Sequence, residues 1–96
     1  MNRLSLKLFI SGRSVRSDTA LDNLHSALAD HSPENIDLDV IDVLENPQAA
    51  EDDFILATPT LIKTAPLPVR RTIGDLSDRA SLLRGLDLAG ARNIEN

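Results

Sequence analysis

ILATPTLIKTAPLPVRRTIGDLSDR, residues 55–79, decides the fold, because its prolines and short apolar runs leave few ways to build it. Thr58-Pro59 precedes the apolar run 60–62. Since proline cannot donate to a ladder and biases the residue before it towards extended conformations, this pair predicts the start of a strand and is a candidate cis peptide. Ala65-Pro66-Leu67-Pro68 predicts a stiff turn, and residues 69–73 predict a second strand. The stretch therefore predicts a hairpin with a proline-braced loop.

A final helix is predicted after this hairpin. Gly74-Asp75 ends the second hairpin strand, and Ser77 is the expected N-cap. The apolar side of the helix would consist of Leu82, Leu83 and Leu86. Gly85 lies within it and costs about 1 kcal/mol relative to alanine, so this helix is expected to be weak.

The N-terminal half predicts strand, helix, strand and helix. Leu4, Leu6, Leu8 and Ile10 alternate with other residues and form the apolar face of a first strand. A helix follows from Ser14 or Ser17 to about Ala29. The next strand, residues 36–44, becomes almost continuously apolar, which is typical of an inner strand covered on both faces. Asn46-Pro47 predicts the N-cap and first residue of a short helix. The resulting order, β-α-β-α-β-β-α in a single domain 1–96, is that of the thioredoxin-like fold.

Composition excludes several classes of function. The chain has no cysteine, which excludes disulfides, thiol redox chemistry and Cys-based metal sites. Two aromatic residues and a formal net charge of −5 count against nucleic-acid binding. No apolar run approaches the roughly 20 residues of a membrane span, and no signal-peptide pattern is present, so a soluble cytoplasmic protein is expected.

Charge is segregated along the chain. Residues 30–53 contain nine acidic residues and no lysine or arginine, whereas basic residues dominate before and after this block. A surface on which acidic and basic residues are segregated favours association with a protein of complementary electrostatic potential. The alternative is that each charge simply belongs to a solvated surface.

Three further features of the sequence bear on possible chemistry. Ser14 and Ser17, beside Arg13 and Arg16, stand where thioredoxin-like oxidoreductases carry their redox pair; capping is the favoured role and anion binding the alternative. The only histidines are six residues apart and do not share a helix face, so neither a metal site nor a cofactor is expected. Asp42 is expected either at a solvated strand end or, preferably, paired with Arg70 or Arg71.

The chain resembles the KaiB family of circadian-clock proteins. The matching runs are LKLFISG, VIDVLENPQ, ILATPTLIK, PVRRTIGDLSDR and GLDL, which together reach from Leu6 to Leu88. The resemblance implies a non-enzymatic clock regulator that binds a KaiC-type ring ATPase and alters its phosphorylation cycle. The alternatives are a divergent paralogue acting as a signalling or stress adaptor, and a KaiB-like sensor domain of a histidine kinase, or a partner of such a kinase.

The resemblance also implies that the protein can switch folds. Residues 1–50 would be the invariant half and 51–96 the switching half, with a tetramer-forming βαββααβ ground state as the alternative to the thioredoxin-like state; monomer, dimer and tetramer stay open. The candidate switch residues are Pro59, Pro66, Leu67, Pro68, Gly85 and Asp87. The thioredoxin-like state is favoured as the resting state, partly because burial of Phe54 against the sheet would stabilise it.

Candidate partner-binding residues follow from charge and from departures from the family pattern. Glu45 and Phe54 stand where clock-type members usually carry lysine, and Arg13 and Arg16 lie in a loop that is usually neutral. These departures count against KaiA as a partner. The full candidate set is Lys7, Arg13, Arg16, Glu45, Phe54, Lys63, Arg70 and Arg71.

Overall fold

Seven elements follow one another in the order expected from the sequence. The computed structural model describes residues 3–31 and 35–88. Its elements are β1 (Arg3–Ile10), α1 (Val15–His31), β2 (Asn35–Asp42), α2 (Pro47–Asp52), β3 (Thr60–Ala65), β4 (Arg70–Ile73) and α3 (Arg79–Gly85). The predicted thioredoxin-like order is confirmed, and so is the cis bond between Thr58 and Pro59.

The four strands form one mixed sheet in the order β2-β1-β3-β4. β1 and β2 pair in parallel, as the crossover through α1 requires, whereas β3 is antiparallel to both β1 and β4. β2 is thus an edge strand, and most of its residues are exposed. The prediction that β2 is an inner strand, covered on both faces, is wrong, because its apolar end continues into a surface turn rather than under a second layer.

Alternation in β1 divides the sheet into two faces. Leu4, Leu6, Leu8 and Ile10 pack into the main core against α1 and α3. The partners of these leucines in that core are Ala20, Leu24, Ala27, Leu28, Leu61, Leu76, Leu82 and Leu86. Each fully buried leucine contributes about 1.5–3 kcal/mol relative to an exposed one. The opposite face, to which Lys7 and Phe9 belong, is the one that the end of α2 approaches.

Serines cap α1 reciprocally. The Ser17 N–H donates to Ser14 Oγ at 3.2 Å, and the Ser14 N–H donates to Ser17 Oγ at 2.9 Å. The Ser17 hydroxyl, which is buried, also donates to the Gly12 carbonyl at 3.2 Å. The capping role favoured for both serines is therefore confirmed, and their polar groups are used within the fold.

Two predicted polar roles are wrong. Asp78, not Ser77, caps α3, since its carboxylate accepts from the Ser81 N–H at 3.2 Å. Asp42 does not pair with an arginine: its Oδ1 accepts from the N–H groups of Gly12 and Leu44, both at 2.9 Å. The reason is topological, because Asp42 ends β2 at one edge of the sheet and the two arginines lie on β4 at the other.

Gly85 ends α3 at a place where a side chain has no room. A Cβ on this residue would lie 2.2 Å from Thr72 Oγ1, so the glycine lets the helix approach β4 closely. The same glycine that permits this close contact also lowers the stability of the helix, as expected from the sequence. Among the helices of the described ranges, none is long and apolar enough to cross a membrane.

Candidate partner-binding surface at the end of α2

α2 ends in a Schellman motif with phenylalanine at the position that glycine usually occupies. The Phe54 N–H donates to the Glu51 carbonyl at 3.1 Å, and the Ile55 N–H donates to the Ala50 carbonyl at 2.9 Å. This pattern requires a left-handed residue after the C-cap Asp53, and Phe54 accordingly has φ of 54°. A residue with a Cβ is disfavoured there by about 1–2 kcal/mol.

The Phe54 side chain is also exposed. Phe54 is 78% exposed and Leu56, two residues further on, is 95% exposed. The expectation that Phe54 adds burial where α2 meets the sheet is wrong, since the chain reverses at this left-handed residue and α2 itself contains no buried residue. A phenylalanine that is strained and solvated at once contributes little to folding, which points to a role outside the folded core.

A groove lies beside these two side chains. Its volume is about 430 Å³, and it is lined by Pro47, Ala50, Glu51, Phe54, Ile55 and Leu56. The lining is mostly apolar, and Glu51 adds a negative charge at the rim. We call this surface the α2-end surface. Its chemistry suits an apolar side chain of a partner, oriented by a basic group.

Two predicted basic residues lie beside the α2-end surface, where Arg71 is exposed and Lys7 is partly exposed. Register places Lys7 of β1 opposite Ile62 of β3, and Ile62 opposite Arg71 of β4, so the three share one row on one face. Lys7 Nζ donates to Asp53 Oδ2 at 3.1 Å. The Arg71 guanidinium donates to the Asp53 carbonyl and, at 3.5 Å, to the Phe54 carbonyl. Lys7 and Arg71 therefore meet at the end of α2.

The other predicted residues do not join this surface. Arg13 and Arg16 are exposed at the start of α1, where Arg13 pairs with Asp18 at 3.3 Å. Glu45 is exposed in the turn after β2. Their proposed contact with a partner stays a prediction.

Lys63 and Arg70 both pair with Asp87, in a charge cluster in which only Lys63 is enclosed. Lys63 is 1% exposed, on the core face of β3, where it pairs with Asp87 and donates to the Pro66 carbonyl. Arg70 Nε donates to the other carboxylate oxygen of Asp87 at 3.1 Å. In this structure the Lys63 side chain cannot touch a partner, because it is enclosed. The hydrogen bond from Lys63 holds the pKa of Asp87 below its usual value, Arg70 adds to this, and partial burial opposes it.

The candidate switch residues cluster around the hairpin and the end of α3. Pro59, Pro66 and Pro68 each follow a cis peptide bond, and Leu67 between the last two is 79% exposed. Asp87, with φ of 61°, ties the residues after α3 to β3 and β4 through its two ion pairs. A part in fold switching remains a prediction for all six residues.

Of the six residues that line the α2-end surface, only Phe54 was predicted from the sequence. The sequence reasoning also missed Asp53, which lies beside this surface and supports it, and Leu56 within it. Asp53 looked like one more member of the acidic block, although it receives both basic side chains. Leu56 closes the run Phe54-Ile55-Leu56, which has no polar alternation and no strand of its own. That run, directly after three acidic residues, was the available signal. Across residues 3–31 and 35–88, no group of three or more His, Asp or Glu side chains could hold a metal ion.

Comparison with known proteins agrees with this architecture. The KaiB domain matches residues 7–88. The circadian clock oscillator protein KaiB of Synechococcus elongatus is 57% identical over 83 residues, covering 86% of this chain and 81% of the relative. The circadian clock protein KaiB3 of Synechocystis sp. is 46% identical over 88 residues, covering 92% of this chain and 86% of the relative.

Two solved structures share the fold of this chain. The N-terminal domain of Synechococcus elongatus SasA superposes with a TM-score of 0.73 at 30% identity, over 90% of this chain and 85% of that domain. Mitochondrial thioredoxin 3 of Saccharomyces cerevisiae superposes with a TM-score of 0.70 at 17% identity, over 91% of this chain and 79% of that one, which shows the fold alone. On the family match and the two clock relatives together, the chain belongs to the KaiB family of circadian clock proteins.

Proposed function

We propose that this protein is a non-enzymatic regulator that binds a KaiC-type ring ATPase and thereby modulates the phosphorylation cycle of that ATPase. Family membership suggests the partner, and the α2-end surface suggests the means. The observation that carries the proposal is the strained, exposed Phe54 beside a groove of about 430 Å³. Such a residue is retained at a cost to folding, which selection for binding would explain.

The composition supports a binding role over an enzymatic one. Thiol chemistry is excluded by the absence of cysteine. The serines at the thioredoxin-type position are committed to capping α1, since each donates to or accepts from the backbone of the other. The α2-end surface is mostly apolar, and Glu51 is the one charged residue among those that line it, so it offers contact area rather than a set of catalytic groups.

Binding to a purified KaiC-type hexamer from the same genome, in the presence of nucleotide, tests the proposal. The expected result is a complex that weakens when Phe54 is replaced by alanine. Val15→Ala is the matched control, because Val15 is exposed to a similar extent and begins α1, which packs on the opposite face of the sheet from α2. If the folded wild-type protein does not bind at low salt, or if both variants lose binding equally, the proposal fails.

A second candidate is an adaptor role towards a sensor histidine kinase, which the family resemblance suggests. A signalling or stress adaptor would be expected to use the same surface. Parallel pull-downs with the hexamer and with full-length sensor kinases, each repeated with Phe54→Ala, distinguish the two partners. Light scattering of the free protein and of the complex compares the oligomeric state before and after binding.

A further inference from the structure

Two cations support the α2-end surface. They lie in one row across the sheet, at the two ends of that row. Lys7 and Arg71 flank Ile62, and neighbouring strands lie about 4.8 Å apart, so the two stems rise roughly 10 Å from each other. The Asp53–Phe54 segment lies between them. Lys7 donates a hydrogen bond to the Asp53 carboxylate, and Arg71 donates to the backbone carbonyls of Asp53 and Phe54.

These contacts act on the end of a helix, where carbonyl groups lack partners within the helix. A cation there satisfies free carbonyls and interacts favourably with the negative end of the helix dipole. An L-residue remains in a left-handed conformation only where surrounding contacts over-determine it. The contacts of Lys7 and Arg71 meet that condition at Phe54.

Resting on the proposed function, we infer that Lys7 and Arg71 promote partner binding by positioning Phe54 through Asp53, and not by touching the partner. Both cations are already paired within the chain, at 3.1 Å between Lys7 and the Asp53 carboxylate and through the Asp53 and Phe54 carbonyls for Arg71. The charge pattern predicted that these two residues contact a partner. The geometry assigns them instead to the support of the apolar contact residue, so Phe54 becomes the direct contact and the two cations its brace.

A double-mutant cycle separates positioning from contact. Lys7→Met, Asp53→Asn and the double variant are measured for binding to the KaiC-type hexamer. Each single change should weaken binding about threefold to tenfold. The double variant should bind as well as the single variant that has the lower affinity. If Lys7 touches the partner directly, the losses multiply, and this result would overturn the inference.

Arg71 donates to backbone carbonyls, so its test uses the residue that it supports. Arg71→Met should weaken binding about threefold to tenfold in the native background and have no effect once Phe54 is alanine. An unchanged effect in the Phe54→Ala background would show that Arg71 acts on the partner by itself. Arg3→Met is the control, because Arg3 lies on the same strand as Lys7 but pairs with the exposed Asp37.

Amide hydrogen exchange of the free protein provides a test that needs no partner. The Ile55 N–H, which closes the Schellman motif on the Ala50 carbonyl, should exchange about threefold to tenfold faster in Lys7→Met and in Arg71→Met, and at the native rate in Arg3→Met. Unchanged exchange in all three variants would overturn the inference. Faster exchange in a protein that binds no hexamer would refute the proposed function while supporting the positioning of Phe54.

Discussion

Replacing Phe54 by glycine should stabilise the fold and weaken partner binding at the same time. Glycine removes the clash between Cβ and backbone that a left-handed residue suffers, and it also removes the exposed ring. Phe54→Ala is the matched comparison, since alanine loses the ring and keeps the unfavourable φ of 54°. The difference between the two variants isolates the backbone strain.

The magnitude follows from two opposing terms. The left-handed conformation costs an L-residue about 1–2 kcal/mol, and the greater freedom of glycine in the unfolded chain returns about 0.5–1 kcal/mol. Phe54→Gly should therefore exceed Phe54→Ala in stability by about 1 kcal/mol. For a domain of this size that corresponds to a melting temperature about 4–8 °C higher.

Binding should respond to the ring alone. Phe54 is 78% exposed in the free protein, so its burial in a complex would contribute about 1.5–3 kcal/mol, which is roughly tenfold to a hundredfold in affinity. Thermal unfolding followed by circular dichroism, and titration with the hexamer, measure the two effects. Equal melting temperatures for the glycine and alanine variants would refute the strain argument. Native affinity in both would refute the contact.

Other expected outcomes concern stability, resting fold and salt. Asp87→Asn should lower the free energy of unfolding at pH 7 by about 2 kcal/mol, below the 3–5 kcal/mol of a fully buried pair because Asp87 is partly exposed. Since the folded-state pKa of Asp87 is lowered, its contribution is complete above pH 4 and is lost as pH falls through the folded-state pKa. Urea titrations at pH 7 and pH 3 measure this, and an undiminished difference at pH 3 would contradict it. Asp42→Ala should cost about 1–2 kcal/mol through loss of two backbone hydrogen bonds, with Asp42→Asn milder in the same melting assay. NMR secondary shifts should show a helix over 47–52, whereas a helix over 66–71 and a strand over 86–89 would place the resting protein in the other fold. Affinity for the hexamer should fall as salt is raised, and a salt-independent affinity would argue against electrostatic steering.

The order of elements was predictable because local signals agreed with the final packing. Strands were predicted from the alternation in residues 4–10 and from the prolines around residues 59–68. These strands pair in the sheet as β1 with β3 and β3 with β4. The cap of α3 was displaced by one residue, since Ser77 and Asp78 are both good N-cap residues and only the geometry chooses between them.

The polar roles were less predictable, because they depend on topology. Charge alone favours an arginine as the partner of Asp42, but the strand order places Asp42 and the two arginines of β4 at opposite edges of the sheet. For Lys63, the alternation of the strand and the charge of the residue disagree. Alternation places Lys63 on the same face as Leu61, which is the core face, whereas its charge favours the surface. The pattern was correct and the assumption about charge was wrong.

The left-handed conformation of Phe54 had no local signal in the sequence. A Schellman motif is usually announced by glycine, and this one carries phenylalanine, so nothing in the sequence marked the left-handed turn. An apolar residue after a short helix is also more often buried than exposed. The hydrogen bonds around Asp53 had to be seen before the surface could be recognised.

The enclosure of Lys63 makes amine chemistry informative in this protein. Lys7 and Lys63 are the two lysines of the sequence, and they differ sharply in access, since Lys7 is 38% exposed at its side chain and Lys63 is 1% exposed. An acylating reagent should modify Lys7 readily and reach Lys63 only when the segment after α3 lifts away from β3. Mass spectrometry after short pulses of such a reagent would thus time the opening of the C-terminal half, with Lys7 as an internal standard.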